Sequence, residues 1–465
     1  MNKRSALRLV SCMMVGAMFS LGAWKLTALV ERKDTIAKYM DFYAQRENFD
    51  VLFFGTSHVR NGIYPMELWK DYGIISYNFS GSNNPLATSY WMLVNALDYT
   101  QPKVAVIDCS HLAWDGKASA NTHFTHFSFD AVPLSMNKLR AVFDIFPEVD
   151  KRMEFILKLR IYHDRWKGLS QEDFIVIPHP EKGAWAKLGV AVPKKVNHIP
   201  LEDKMTKNTI STRYLEKIIE LCTNKNITVL LTFLPFPATD GFIRESHRVF
   251  DIAKKYKLNY LSWETLKDKI DFDIDFYDSD HHMNFSGGRK ISKYIGKYLK
   301  DQYHIQDQRH NPKYKHWHDD YINYRIARME LIKKASTSVK NILMLLSDRN
   351  YSYAVYFPNG RLYQDKIVTK LLCNTGIDEE QVISQSPDLI VVDNKNCNIS
   401  YCKVNETADS SFGKITVKSA KEGYVFNVEN KNYLEINKGE HLAAAVIVFD
   451  NDSDECVVAQ KCLAL

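Results

Sequence analysis

The sequence predicts an α/β protein whose parallel sheet follows an apolar helix and precedes a smaller β-rich region. Three observations predict this order. A long apolar run lies near the amino terminus, short apolar runs alternate with amphipathic stretches through the middle, and the last third carries short β-like runs separated by turns. Strands that alternate with helices of this length are typical of a parallel sheet covered on both faces.

The composition is that of a folded protein with a sizeable core. Of the 465 residues, 45% are hydrophobic and 25% are charged, which excludes a disordered, collagen-like or multi-span membrane protein. Lysine and arginine number 61 against 55 aspartates and glutamates, a net charge of +6. This excess is too thinly spread to indicate nucleic acid as a partner. The eight cysteines include no CxxC pair, so we expect no zinc site.

The amino terminus carries a candidate membrane anchor. Residues 9–30 form an apolar run interrupted only by Lys25, and about 20 apolar residues are what a helix needs to cross a bilayer. No small-x-small cleavage site follows the run, and most of it lies after Cys12, which disfavours both a cleaved signal peptide and a lipoprotein signal. Three basic residues precede the run, so the positive-inside rule predicts that the amino terminus lies in the cytoplasm. Residues 1–32 would then be a cytoplasmic tip and a signal anchor, and the rest of the chain would lie outside the cytoplasm. These basic residues are Lys3, Arg4 and Arg8.

An extracytoplasmic body can hold disulfide bonds. The close-spaced candidates are Cys397 with Cys402 and Cys456 with Cys462. Free buried thiols are the alternative, and the sequence leaves both open.

Apolar runs in the middle of the chain predict buried strands. They cover residues 50–54, 103–108 and 227–234, and the stretch before the third run carries apolar residues at helical spacing. In a parallel sheet the active crevice lies at the carboxyl ends of the strands. Ser57 follows the first run and His111 follows the second, so both are candidate site residues.

A cluster of acids and histidines precedes the last amphipathic helix of this middle region. The cluster consists of Asp278, Asp280, His281 and His282. A carboxylate beside an imidazole can orient it as a general base, and such a group can also bind a metal. The alternative is a solvated loop in which aspartate and asparagine cap the helix.

Together these blocks resemble the SGNH hydrolase superfamily over residues 48–302. In that family the nucleophilic serine follows the first strand in a short G-x-S block, as Ser57 does here. The resemblance implies that the second block supplies an oxyanion-hole amide from Asn83 or, in a shifted register, from Gly81. The third block carries His111 where the family has asparagine, which leaves the third oxyanion donor open.

The last block of the family ends in H-x-N-x-x-G, a pattern that residues 282–287 match. This register makes His282 the general base, held by Asp280 or Asp278. Asp280 is favoured, because residues two apart in an extended loop point to the same side. The rival register pairs Asp278 with His281.

The resemblance narrows to the branch that transfers acyl groups to surface polymers, which includes proteins that help to O-acetylate alginate and to D-alanylate teichoic acids. The stretches at residues 77–93 and 278–287 carry it. It implies a three-layer α/β/α, flavodoxin-like domain over residues 33–302 that acts as a serine acyltransferase or esterase. A cell-surface polysaccharide would be the substrate and a membrane-bound O-acyltransferase the partner. We expect no cofactor and no metal.

The carboxyl-terminal third divides into a charged linker with an exposed helix, residues 303–339, and a β-rich accessory domain, residues 340–465. Short apolar runs separated by turns predict the strands of the second part. Residues 433–460 resemble the interleukin-like EMT-inducer type of β-sandwich. A structural role and glycan or partner binding both stay open, and we expect this part to be removable without loss of the catalytic residues.

A second function comes from another class of protein. A non-catalytic scaffold would bind glycan or recruit a membrane-bound acyltransferase. The histidine at position 111 and the extra residue in the last block favour it. Dependence of ester hydrolysis on Ser57 separates the two hypotheses.

Overall fold

The amino-terminal helix is long and apolar enough to cross a membrane. A computed structural model describes the chain over residues 3–31, 33–174, 179–191, 194–279, 282–335, 337–358 and 361–463. Helix α1 spans Lys3–Val30, and its apolar stretch Leu7–Val30 is 24 residues long, with its most apolar part uncovered by the rest of the protein. Helix α2 follows at Lys33–Gln45.

A five-stranded parallel sheet forms the centre of the molecule, as the alternating runs predict. Its strands are β1 (Val51–Phe54), β2 (Ser76–Asn78), β3 (Val104–Asp108), β4 (Thr228–Thr232) and β5 (Asn259–Leu261). They lie in the order β2-β1-β3-β4-β5, and each neighbouring pair is parallel. All residues of β1, β2 and β3 are buried, and β1 and β3 are almost continuous apolar runs, as strands covered on both faces are. The carboxyl ends of all five strands therefore meet at one edge.

Helices connect these strands and follow the last of them. They are α3 (Ser57–Gly62), α4 (Pro65–Tyr72), α5 (Leu86–Ala96), α6 (Thr122–Phe129), α7 (Met136–Ile145), α8 (Val149–Ile156), α9 (Leu159–Tyr162), α10 (Ile210–Asn224), α11 (Asp240–Tyr256), α12 (Trp263–Lys267) and α13 (Phe285–Tyr303). In α10 the predicted apolar face is buried, and Thr209 and Thr212 form a capping box at its start. Two 3₁₀ turns, His163–Gly168 and Gln171–Phe174, follow α9.

In its described residues the carboxyl-terminal region has two antiparallel sheets, four α-helices and the 3₁₀ turns Pro312–Tyr314 and Arg361–Gln364. The helices are α14 (His316–Ala335), α15 (Val339–Leu345), α16 (Lys366–Asn374) and α17 (Glu379–Gln385). The strands are β6 (Tyr351–Tyr356), β7 (Leu389–Asp393), β8 (Asn398–Cys402), β9 (Thr407–Ser410), β10 (Gly413–Ala420), β11 (Gly423–Val428), β12 (Lys431–Asn437), β13 (Ala444–Asp450) and β14 (Cys456–Cys462). The sheet orders are β14-β13-β6-β7-β8 and β12-β11-β10-β9.

The five-stranded antiparallel sheet lies between two hydrophobic cores. Alternate residues of a strand point to opposite faces, and all seven residues of β13 are buried. Val446 and Val448 belong to the core that also holds the parallel sheet, whereas Ile447 and Phe449 pack against the four-stranded sheet. One core therefore runs from the central region into the carboxyl-terminal region.

Buried charges cross the junction between these two regions. Asp348 is 1% exposed and accepts hydrogen bonds from Lys70 of α4 at 3.1 Å and Arg289 of α13 at 3.3 Å. Arg289 also pairs with Glu67 at 3.2 Å, and Glu67 accepts a hydrogen bond from the Tyr324 hydroxyl at 2.9 Å. The carboxyl-terminal region is thus joined to the central one by ion pairs as well as by apolar contacts.

Helix α14 differs from the exposed helix predicted for residues 303–339. Its residues Trp317, Tyr324 and Arg328 are buried, and the Arg328 guanidinium lies 4.9 Å from the ring centroid of Phe285. The charged composition misled the prediction because this helix buries one aromatic face and an arginine that packs on rings.

The eight cysteines are free thiols in this structure. Cys456 and Cys462 are the two ends of β14. Cys397 directly precedes β8, and Cys402 is its last residue. Residues at the two ends of an extended strand lie too far apart for a disulfide bond.

Candidate active site

Ser57 lies where the first strand of the parallel sheet ends and helix α3 begins. Thr56 is the cap residue of α3, and Ser57 is its first residue. Gly55 precedes them in a crowded position, where an added Cβ would lie 2.6 Å from Val59 Cγ2 and 2.8 Å from Asp108 Cβ. Only glycine fits there without a shift of its neighbours. The short G-x-S block therefore builds a tight turn that presents the serine at the edge of the sheet.

His282 lies in a loop that folds back on itself before helix α13. Phe276 and Met283 form an isolated antiparallel bridge, and the Tyr277 amide donates to the His282 carbonyl oxygen at 3.1 Å. Asn284 caps α13, its Oδ1 accepting from the Gly287 amide at 3.1 Å. The asparagine and the glycine of the predicted block thus shape the backbone that holds the histidine.

Ser57, His282 and Asp278 form a continuous chain of hydrogen bonds. Ser57 Oγ lies 2.9 Å from His282 Nε2. On the other side of the ring, His282 Nδ1 lies 2.6 Å from Asp278 Oδ2, and the His282 amide donates to Asp278 Oδ1 at 3.0 Å. Both oxygens of the aspartate therefore contact the histidine. This order of hydroxyl, imidazole and carboxylate is that of a nucleophile, its base and the group that orients the base.

The carboxylate in contact with His282 is Asp278, whereas the sequence analysis favoured Asp280. That choice assumed an extended loop, but the loop between Phe276 and Met283 turns back and brings Asp278 to the imidazole. Asp280 and His281 lie outside the described residues.

The two residues predicted to supply the oxyanion amide differ in their surroundings. The Gly81 amide donates to the Gly55 carbonyl oxygen at 3.1 Å, so it holds the two blocks together. Asn83 has a φ of 47°, in the left-handed region that asparagine tolerates better than most residues. Among the predicted pair, Asn83 is therefore the better candidate donor.

His111 lies in the loop after β3, beside the site. Its φ of 68° is in the left-handed region, a strained conformation for histidine. Its ring centroid lies 5.8 Å from that of His58, 5.4 Å from Trp114 and 5.3 Å from Phe242. These are packing contacts with aromatic rings, and they do not assign His111 a part in an oxyanion hole.

A buried carboxylate connects the loops after β1, β3 and β4. Asp108 accepts hydrogen bonds from the Leu234 amide at 3.0 Å and from the hydroxyl and amide of Ser110. Ser110 Oγ lies 3.3 Å from His58 Nδ1, and the His58 ring is 5.6 Å from that of His282. Burial raises the pKa of Asp108 to about 6, although the hydrogen bonds from Ser110 and Leu234 act against it. This network fixes the position of the loops around Ser57.

An irregular stretch, residues 179–191, crosses the site and is called the crossing segment here. The Trp185 amide donates to the Arg60 carbonyl oxygen at 2.9 Å, and the Lys187 carbonyl oxygen accepts from the Phe285 amide at 3.0 Å. The crossing segment therefore joins helix α3, which carries Ser57, to the start of helix α13.

Cationic and aromatic side chains from three elements lie beside the triad. Lys187 Nζ is 4.0 Å from the ring centroid of Trp185 and 5.7 Å from that of Tyr277, whose ring stacks on His282 at 5.5 Å. The Arg60 guanidinium covers Trp185 at 4.8 Å. Burial lowers the pKa of Arg60, and burial together with the charge of Arg60 lowers the pKa of Lys187. No signal in the sequence indicated Trp185 and Lys187, since the crossing segment has neither periodicity nor a motif. Sequence reasoning also missed Arg60 and Tyr277, which lie beside the blocks that contain the candidate nucleophile and its aspartate.

Among the described residues, no group of three or more His, Cys, Asp or Glu side chains is arranged to hold a metal ion. A scan of the sequence against protein-family models finds no match, and a search of the curated proteins finds none. A functional proposal for this chain therefore depends on the geometry of the site.

Proposed function

We propose that this protein is a serine esterase or acyltransferase of the SGNH type, with Ser57, His282 and Asp278 as its triad. The observation that carries the proposal is the hydrogen-bonded chain from Ser57 Oγ through both nitrogens of His282 to Asp278. A buried or surface hydroxyl needs such a base to become a nucleophile at neutral pH.

The reaction proceeds in two halves around the same imidazole. Ser57 Oγ attacks the acyl carbonyl carbon while His282 Nε2 takes the hydroxyl proton and Asp278 holds the Nδ1–H. The amides of Ser57 and Asn83 stabilise the negative charge on the carbonyl oxygen. His282 then returns its proton to the departing alcohol, which leaves the acyl group on Ser57. In the second half, His282 deprotonates a sugar hydroxyl or water, which attacks the acyl-enzyme and frees the serine.

The topology of the parallel sheet supports the SGNH type. The strand order β2-β1-β3-β4-β5 is that of flavodoxin-like sheets, in which ligands bind at the carboxyl ends of the strands. Ser57 follows β1 and Asn83 follows β2, while His282 reaches the same edge from the loop before α13.

The surroundings of the triad support a carbohydrate substrate. Trp185 is half-exposed, and Lys187 lies over its ring. Lys187 also lies over the ring of Tyr277, which stacks on His282. Aromatic faces and a few polar groups are what small-molecule and sugar sites use. With α1 as a single-pass anchor and the body outside the cytoplasmic membrane, the substrate would be a cell-surface polysaccharide. A membrane-bound O-acyltransferase would supply the acyl group.

A non-catalytic scaffold is the second candidate. The engagement of the Gly81 amide with the Gly55 carbonyl oxygen favours it, because one of the two predicted oxyanion amides is occupied. Such a scaffold would keep the hydrogen-bonded triad but would not hydrolyse or transfer an acyl group.

The test compares full-length protein with Ser57→Ala in detergent, on a small acetyl ester. We expect turnover to fall by at least about 10³-fold, because triad members act as a unit. Ser384→Ala, an exposed serine of α17, is the matched control and should keep wild-type turnover. A fluorophosphonate probe should label the wild type at Ser57 only. Equal turnover by wild type and Ser57→Ala would favour the scaffold.

A further inference from the structure

Large exposed apolar side chains cluster in two stretches of the central region, residues 134–149 and residues 157–174, and the second stretch contacts helix α1. Leu157, Ile161, Trp166 and Phe174 are 54%, 36%, 62% and 67% exposed, although they lie within 18 residues of chain. Single exposed apolar residues are common on soluble proteins, but a cluster of large ones indicates a surface that is covered in use. Residues 157–174 are called the apolar shelf here.

The apolar shelf is attached to the end of helix α1. Helix α9 and both 3₁₀ turns of the shelf contact α1, in which Ala23 and Thr27 are partly covered and Val30 is buried. The spacing of four and three residues places these three on one side of the helix. The shelf therefore lies along the last two turns of the apolar helix.

Polar contacts fix the shelf at this place. The Arg165 guanidinium donates to the Val30 carbonyl oxygen at 2.8 Å, which satisfies a carbonyl group at the end of α1. Lys158 pairs with Glu31 at 2.5 Å, and Arg165 also pairs with Asp173 at 2.7 Å. Hydrogen bonds and ion pairs thus join the shelf to the end of the helix.

We infer that the apolar shelf rests in the interface of a phospholipid bilayer, beside the point where α1 leaves it. The helix itself carries Trp24 and Lys25 at the level of the shelf, residue types that are typical of the membrane–water boundary. On the shelf, Lys167 lies 5.9 Å from the ring centroid of Trp166. An apolar surface with cations beside tryptophan is the pattern of interfacial segments.

This inference rests on the membrane anchor of the proposed function and extends it. A bilayer is the occupant because the shelf continues the surface of a helix whose length and composition suit a membrane. Leu157, Ile161, Trp166 and Phe174 enter the headgroup region, so the body is held against the membrane rather than suspended from it.

The test uses full-length protein in liposomes of phosphatidylethanolamine and phosphatidylglycerol. The photoreactive residue p-benzoylphenylalanine replaces one residue at a time: Trp166 or Phe174 in the shelf, Phe19 in α1, and Ile383 of α17 as a control that is 58% exposed. After irradiation, mass spectrometry measures lipid adducts. We expect shelf adducts at least about tenfold above those at Ile383, and at a yield comparable with Phe19.

Each other outcome overturns the inference. Lipid adducts at Phe19 without adducts in the shelf would show that the helix is inserted while the shelf is not. Protein adducts in the shelf would assign it to a partner chain, and equal yields at Ile383 would show unspecific labelling. Missing adducts at Phe19 would remove the anchor and the inference together. Esterase turnover, measured on the same samples, reports on the triad separately.

Discussion

Two buried aspartates, Asp108 beside the triad and Asp348 at the junction, have opposite electrostatic surroundings. Asp108 accepts hydrogen bonds from neutral groups only, and burial raises its pKa to about 6. Burial also acts to raise the pKa of Asp348, but the charges of Arg289 and Lys70 outweigh it and hold the pKa at about 2.

The difference shows how each region uses a buried charge. At the junction, cations compensate the carboxylate, so that the charged pair binds two parts of the chain together. Beside the triad, the carboxylate is compensated by a hydroxyl and amides, which position loops without adding a cation next to the imidazole. The first arrangement joins two regions of the chain, and the second positions the loops around the candidate site.

Removal of residues 340–465 should have the largest effect on the molecule. The cut deletes Asp348 and opens the core shared by Ile342, Val355 and the parallel sheet, so we expect no cooperatively folded protein. The modular pattern of the sequence predicted the opposite, a removable carboxyl-terminal part. Circular dichroism and thermal unfolding of the shortened chain check this, with Ser57→Ala purified in parallel as a folded control. A soluble shortened chain that unfolds cooperatively and hydrolyses the ester would restore the modular interpretation.

Asp278→Asn should cost more activity than any other single change outside Ser57 and His282. Loss of the carboxylate leaves the imidazole in the wrong tautomer, and we expect turnover to fall by about 10⁴-fold. Steady-state kinetics on a small acetyl ester measure it. Asp280→Asn is the matched control and should be milder by at least about tenfold, or about 1.4 kcal/mol in the barrier.

The same assay distinguishes the two histidines. His282→Ala should match Ser57→Ala in severity, and His281→Ala should be milder by at least about tenfold. The reverse ranking would return the base to the rival register.

Asp348→Asn should reduce stability more than any single change at the surface. It leaves Arg289 and Lys70 without their carboxylate, and removing one partner of a buried pair costs about 3–5 kcal/mol. Urea unfolding measures the loss, while turnover per folded molecule should stay near wild type. Asp454→Asn, which removes an exposed pair with Lys395, is the matched control and should change stability by less than about 1 kcal/mol. Equal losses in the two variants would contradict the role of the junction.

The smallest expected effects are the opposite changes in stability with pH that Asp108 and Asp348 cause. The pKa of Asp348 is lower in the folded protein than in the unfolded chain. Its contribution to stability is therefore present above about pH 4, the pKa in the unfolded chain, and is lost as the pH falls towards 2. A raised pKa means the reverse for Asp108: its contribution is present below about pH 4 and is lost as pH rises through about 6. Urea unfolding between pH 3 and 7 measures both against Asp348→Asn and Asp108→Asn. For each variant, the difference in unfolding free energy from wild type is plotted against pH. Slopes of the same sign for the two variants would refute the opposite surroundings of the two aspartates.

Much of the fold follows from local apolar patterns. The runs at 50–54, 103–108 and 227–234 became β1, β3 and β4, and the strands at 351–356 and 444–450 lie where short apolar runs predict them. The burial of α14 was not predictable, because its aromatic face and Arg328 are separated by charged residues that mask the pattern.

Site prediction succeeded where short motifs coincide with strand ends. Ser57 and His282 come within hydrogen-bonding distance as the block order predicts, although their catalytic role stays a prediction. Asp278 was ranked below Asp280 because a sequence does not reveal that a loop turns back. Trp185 and Lys187 reach the site through backbone hydrogen bonds of the crossing segment, and such bonds carry no side-chain signature.

Lys38 of helix α2 attaches the chain that follows helix α1 to the body of the protein. Its ammonium group is buried and donates to the carbonyl oxygens of Ser80 and of Gly183, the latter at 3.1 Å, and burial lowers its pKa well below the usual range. The chain that leaves α1 is therefore locked into the turn next to Gly81 and into the crossing segment. A flexible tether would let the triad sweep a volume set by its length. If α1 is the membrane anchor proposed above, this mount would keep the candidate site at one height above the bilayer, and a polymer substrate would have to be brought to that height.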